Sequence, residues 1–136
     1  MTEAEAHEAI CQRWETAWVA AHGPLTMDPV PHTFENETFD TVAAYVHVAI
    51  EPTVRERTTQ GRQFGRYSSR GIVRLRIFAD IDQGATRITE LATEAIAVLE
   101  DVRITDVILR EGSVRPGPTD GRWVMRVVTV PFELRT

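Results

Sequence analysis

The side chains in this 136-residue sequence best suited to nucleophilic or acid–base chemistry are one cysteine, four histidines and the serines Ser68, Ser69 and Ser113. Nucleophilic catalysis needs a hydroxyl or thiol held beside a base, commonly on a strained strand-to-helix turn, and none of these serines lies in a GxSxG frame. Cys11 has no second thiol, so CxxC redox chemistry, cysteine-based zinc fingers and an internal disulfide are excluded. His7 and His22 flank a predicted helix, where solvated surface positions are expected. His32 and His47, with Asp40 and Glu51 near them in sequence, are the one set that general acid–base catalysis in the cleft of a small cone-shaped enzyme would use. Against that reading, His47 is one residue of the more polar face of a predicted strand, and no second histidine lies two or four residues from it. Asp80 and Asp82 straddle Ile81, but a calcium loop needs further acidic positions and a closing glutamate, so they read as turn and cap residues. GxxxxGK[ST], GxGxxG and HExxH are absent, and no cofactor or metal is expected.

Charge offers a second kind of chemistry. The formal net charge is −5, which argues against a dedicated nucleic-acid binder. All 15 basic residues are arginine, whose planar guanidinium pairs with carboxylates across interfaces. Seven of the 15 fall between Arg55 and Arg76, the one basic stretch of an acidic chain. Three uses of Arg55, Arg57, Arg62, Arg66 and Arg70 stay open: a solvated loop, a nucleic-acid-binding segment, or an arm that docks on an acidic neighbouring subunit. The nucleic-acid use is weakened because Phe64 and Tyr67 are the segment's only aromatics and Glu56 dilutes its charge. Trp123, at a strand start after a Gly-rich turn, is a further candidate for a subunit boundary.

These residues must be positioned by ordinary elements. Ile10, Trp14, Ala17, Trp18 and Ala21 recur at spacings of three and four, predicting a helix over 2–21 with both tryptophans in the core. Thr2 and Glu5 fit a capping box, and Gly23 is available for a left-handed cap before Pro24. Residues 24–40 read as an irregular connection with at most a short strand around Phe34–Glu37. A two-residue period predicts strands over Ala43–Glu51, weakened or ended at Pro52, and over Gly71–Asp80, with Val73, Leu75 and Ile77 on a buried side. The intervening Thr53–Arg70 reads as a loop, longer than the ~12–15 residues usual in compact domains. Ile88, Leu91, Ala92, Ala95, Ile96 and Leu99 predict a second helix over 85–100. Two more strands, Val102–Leu109 and Arg122–Leu134, follow, separated by turn-rich Glu111–Ser113 and Pro116–Gly121, with Pro131 favouring an edge or bulge. This order predicts an α+β fold: a largely antiparallel β-sheet packed against two amphipathic helices, with a long Arg-rich arm or hairpin between two strands. Length and 43% hydrophobic content fit a single domain over 1–136. Apolar runs fall short of the ~20 residues that span a bilayer, and the acidic start is no signal peptide, so a cytoplasm-like compartment without membrane contact is expected.

The whole pattern resembles the small tail-terminator (tail completion) proteins of long-tailed bacteriophages and related gene-transfer particles. It is carried by the helix with Ile10 and Trp14, Phe34-Glu35-Asn36 after a Pro-rich connection, and the strand 44–48. The run Gly71–Phe78 leading into an Ala-rich helix and the closing Gly121-Arg122-Trp123 and Val130-Pro131-Phe132 complete it. The resemblance implies a structural virion protein rather than an enzyme: a homo-oligomeric ring, typically hexameric, at the head–tail junction. Such a ring caps the tail-tube protein, stops tube growth and meets the head-side connector or stopper. It implies assembly in the host cytoplasm and passage of DNA through the ring without specific binding. In that frame Arg55, Arg57, Arg62, Arg66, Arg70 and Trp123 are expected at the subunit interface. The alternatives are the enzyme using His32, His47 and Asp40, or a nucleic-acid module acting through Arg55–Arg76.

Overall fold

The structure, a computed structural model, describes residues 2–27, 29–34, 44–57, 67–119 and 121–135. Helix α1 (Glu3–His22) begins where Thr2, in extended conformation, accepts the Glu5 amide through its side chain at 3.1 Å, and Glu3 and Glu5 face the positive end of the helix dipole. Gly23 ends it, but not as the left-handed cap expected: its φ is −70°. Glycine is needed there for space, because a Cβ would lie 2.4 Å from the Val19 carbonyl oxygen, which accepts the Gly23 amide.

The sheet comprises β1 (His32–Thr33), β2 (Ala44–Arg57), β3 (Tyr67–Asp80), β4 (Arg103–Ile104), β5 (Val107–Leu109), β6 (Ser113–Pro116) and β7 (Trp123–Arg135). Its order is β1-β2-β3-β7-β5-β4, with β6 also on β7. Only β1–β2 is parallel; the other ladders are antiparallel. The fold is therefore α+β, with a mostly antiparallel sheet of seven strands and two helices.

Several boundaries differ from expectation. Pro52 does not end β2. The register shifts between Pro52 and Val54, and the ladder resumes and runs to Arg57↔Tyr67. The ends of the expected loop thus lie in paired strands, because a one-residue bulge absorbs the proline. A short strand is found at His32–Thr33; residues 35–37 of the strand expected at Phe34–Glu37 lie outside those described. Val102–Leu109 is two strands, β4 and β5, reversed at Thr105, whose φ of +53° is an uncommon conformation for a β-branched residue. Ser113 and Pro116, each read as part of a turn, are the ends of a strand, Ser113–Pro116, along β7.

Strands β5 and β6 occupy the same edge of β7 one after the other, with the pairing shifted by one residue between Leu109↔Phe132 and Ser113↔Thr129. Pro131 sits at that break. Its carbonyl accepts the Arg110 amide at 2.8 Å, so its nitrogen also points toward the interrupted edge and the β3 ladder loses no donor.

Helix α2 (Gly84–Leu99) follows β3 through a 3₁₀ turn, Ile81–Gln83, in which the Asp80 carboxylate accepts the Asp82 amide at 3.1 Å, as a turn residue should. Both helices pack on one face of the sheet. Ile10, Trp14 and Trp18 from α1, Ile88, Leu91 and Leu99 from α2, and Val73, Leu75, Ile77, Val128, Val130 and Leu134 from the strands form one buried cluster. Each large aliphatic side chain contributes about 1.5–3 kcal/mol by leaving water. Gly71 admits the Phe132 ring into this face: a Cβ there would lie 2.5 Å from the ring.

Candidate functional site

The alternation that buries Val73, Leu75 and Ile77 sends Arg70, Ile72, Arg74, Arg76 and Phe78 to the opposite, helix-free face. Cross-strand register assembles that face row by row. Tyr45, Phe78 and Met125 form one row, His47, Arg76, Val127 and Arg115 the next, and Ala49, Arg74, Thr129 and Ser113 the third. Toward the far end, Arg70 lies opposite Glu133, which accepts from Arg110 and Arg135, each at 3.1 Å. Arg74 donates to Glu51 at 2.8 Å. Among the described residues, arginines 70, 74, 76, 103, 110, 115 and 135 thus share the face with the carboxylates of Glu51, Asp80 and Glu133, so cations outnumber anions there. Among the described residues, Arg76 and Arg115 have no carboxylate in salt-bridge range. The neighbouring Arg76 charge, after burial, is the second cause holding the His47 pKa below its ordinary value.

One end of the face is aromatic. Tyr45 stacks on Phe78 with ring centroids 4.6 Å apart, and Trp123 meets Tyr45 edge-on at 5.1 Å. Arg122 lies over the indole at 4.5 Å and also donates to Asp80 at 2.9 Å. The Asp80 carboxyl is held below the usual carboxylate range, first by the Asp82 amide and then by Arg122.

The opposite side of the molecule is acidic. Glu5, Glu8 and Glu15 on α1 and Glu90 on α2 are exposed there, against Arg13 and Arg87 on the same helices, whereas Glu3 accepts from Ser69 of β3 at 3.0 Å and Glu94 is bonded to His22.

The candidate catalytic set does not converge. The parallel β1–β2 register pairs His32 with core residue Val46 and Thr33 with His47, so the two imidazoles are on opposite faces of the sheet. His32 packs edge-on against Trp14 with ring centroids 6.4 Å apart, and burial lowers its pKa. Asp40 lies outside the described residues, as do Arg62 and Arg66. Arg55 and Arg57 are on β2, opposite Ser69 and Tyr67; Arg70 is exposed near the sheet's end and Trp123 is half-buried.

His22 is not the solvated residue expected. It is 5% exposed, packs against Trp18 and bonds Glu94 of α2. It also lines a shallow apolar groove with Val19, Pro24, Pro29, Pro31 and His32. Sequence reasoning missed this pairing because 72 residues separate the partners. The helix-free face was partly signalled by the alternation of Arg74 and Arg76 with buried aliphatics, but Arg110, Arg115 and Arg135 join it only through the β5–β6–β7 register.

A solved structure shares this fold. It superposes with a TM-score of 0.71 at 16% identity, covering 100% of this chain and 97% of its own. At that identity the likeness is one of architecture alone. No protein-family model and no curated protein matches the chain. Among the described residues no three histidine, cysteine or acidic side chains are placed to hold a metal, and no helix is long and apolar enough to cross a membrane.

Proposed function

We propose that this chain is a structural assembly protein of the tail-terminator kind, which forms a ring that caps a tail tube, ends its growth and joins it to a head-side connector. The observation that carries this reading is the β2–β3 ladder, which continues through the Pro52 bulge to Arg57↔Tyr67. The arginine-rich excursion is therefore mounted on paired strands at both ends. An arm set on a stiff hairpin loses less freedom on docking than a loose loop does. The enzyme reading is disfavoured by the placement of His32 and His47 on opposite faces, and the nucleic-acid reading by the net charge of −5.

Light scattering and negative-stain images of the purified protein, alone and with tail-tube protein, test this. Rings, or stoichiometric capping of tube ends, are expected; a chain that stays monomeric and never binds tubes refutes it. Replacing Arg57, Arg62 and Arg66 by Glu is expected to leave the circular-dichroism spectrum unchanged while abolishing rings. Normal rings from that variant would remove the arm from the assembly contact.

A further inference from the structure

We infer that the arginine-lined, helix-free face of the sheet docks on the acidic outer surface of α1 and α2 of a second copy of this chain. The inference rests on the ring reading above and names a surface for it that lies mainly beyond the 53–70 segment. The two surfaces are opposite in sign: among the described residues arginines outnumber carboxylates on the sheet face, while Glu5, Glu8, Glu15 and Glu90 outnumber Arg13 and Arg87 on the exposed helical side. They also lie on opposite sides of one helix-on-sheet layer, so a contact between them is head-to-tail. Such a contact leaves each copy with one used and one free surface, and repetition closes into a ring or runs on as a filament.

The middle of the sheet face suits a protein partner. Ala49, Ile72 and Val127 are partly exposed apolar residues interleaved with the charged side chains of these rows, as apolar and charged groups are in a subunit interface. Arg76 and Arg115, with no carboxylate among the described residues, are the side chains a docking glutamate would satisfy. A nucleic acid is a poorer fit for two reasons. The aromatic end uses its ring faces internally, Tyr45 on Phe78 and Trp123 beneath Arg122, and Tyr45 is only 3% exposed. The helical side of the same chain would also repel phosphates.

Two complementary variants test the contact. R76E/R115E reverses charges on the sheet face and keeps the acidic helices; E8R/E90R reverses charges on the helices and keeps the cationic sheet. Each alone is expected to weaken self-association, measured by sedimentation velocity, by about a hundredfold, because like charges face one another. Mixed, they are expected to co-assemble, since the intact sheet of one meets the intact helices of the other and the two reversed surfaces are again opposite in charge. Because Arg76 is half-buried, R76Q/R115Q is carried in parallel and is expected to weaken self-association in the same direction but less, since it removes the pairing cations without introducing buried negative charge. Wild-type assembly by either variant alone, or rings from the wild type with no mixed complex, overturns this surface while leaving the ring reading in place. A sheet variant that self-associates normally but loses salt-dependent binding to duplex DNA overturns it in favour of nucleic acid. A wild-type chain that is monomeric both alone and with tail tubes overturns both proposals.

Discussion

His22 ties the end of α1 to α2 by its bond to Glu94, and its ring fills space against Trp18. Replacing it separates those two contributions. His22→Phe keeps most of the volume and loses the bond, so a cost of about 1 kcal/mol is expected in urea unfolding. His22→Ala also leaves a cavity and is expected to cost about 2–4 kcal/mol. Two other histidines give a pH dependence. Burial holds the His32 pKa below its ordinary value, and burial with the Arg76 charge does the same for His47. Between the lowered folded values and the ordinary value of about 6.5, the unfolded chain binds more protons, so stability falls as pH drops through that window. Thermal melts from about pH 7.5 down to about pH 5 are expected to show this slope, and His32→Asn is expected to flatten it.

Gly71 belongs to the scale of elements, since it lets Phe132 of β7 lie across β3. With a Cβ placed 2.5 Å from that ring and 2.8 Å from the Glu51 carbonyl oxygen, Gly71→Ala is expected to destabilise the fold by about 1–3 kcal/mol. Chemical denaturation measures this, and a neutral result would mean the ring has another place to go. The elements with clean periodicity were readable in advance. The helix stripes of Ile10, Trp14 and Trp18 and of Ile88, Leu91 and Leu99 are buried as their spacing requires, and so are Val73, Leu75 and Ile77. What escaped was decided by contacts distant in sequence. Thr105 reverses the chain without a glycine to announce it, β6 is a strand only because β7 offers it an edge, and the two-residue β1 has no period to read. That same short strand decides the fate of the candidate histidine site, because its register with β2 separates His32 from His47. The arginine face was half visible for the same reason: alternation exposes Arg74 and Arg76, whereas the surface they join is assembled by sheet order.

The whole molecule is a polarised layer, with helices carrying negative surplus on one side and the sheet carrying positive surplus on the other. If copies associate through those sides, salt must weaken the association. Screening shortens the reach of exposed charges from about 10 Å at 0.1 M to about 3 Å at 1 M. Sedimentation at the two ionic strengths is expected to show dissociation at the higher one; tighter association in high salt would point to an apolar contact instead.

The order of strands also governs how the chain is made. Strand β7, residues 123–135, comes last in sequence yet lies inside the sheet, with β3 on one side and β5 and β6 on the other. While those thirteen residues are still within the ribosomal tunnel, a nascent chain has β3 as an open edge, β6 with no strand to pair with and the β4–β5 hairpin detached from the sheet. Val128, Val130 and Leu134 are then missing from the floor under the helices. Strand β7 must be delivered before the apolar faces of α1 and α2 are fully covered, so until it emerges this polypeptide is most exposed to wrong partners.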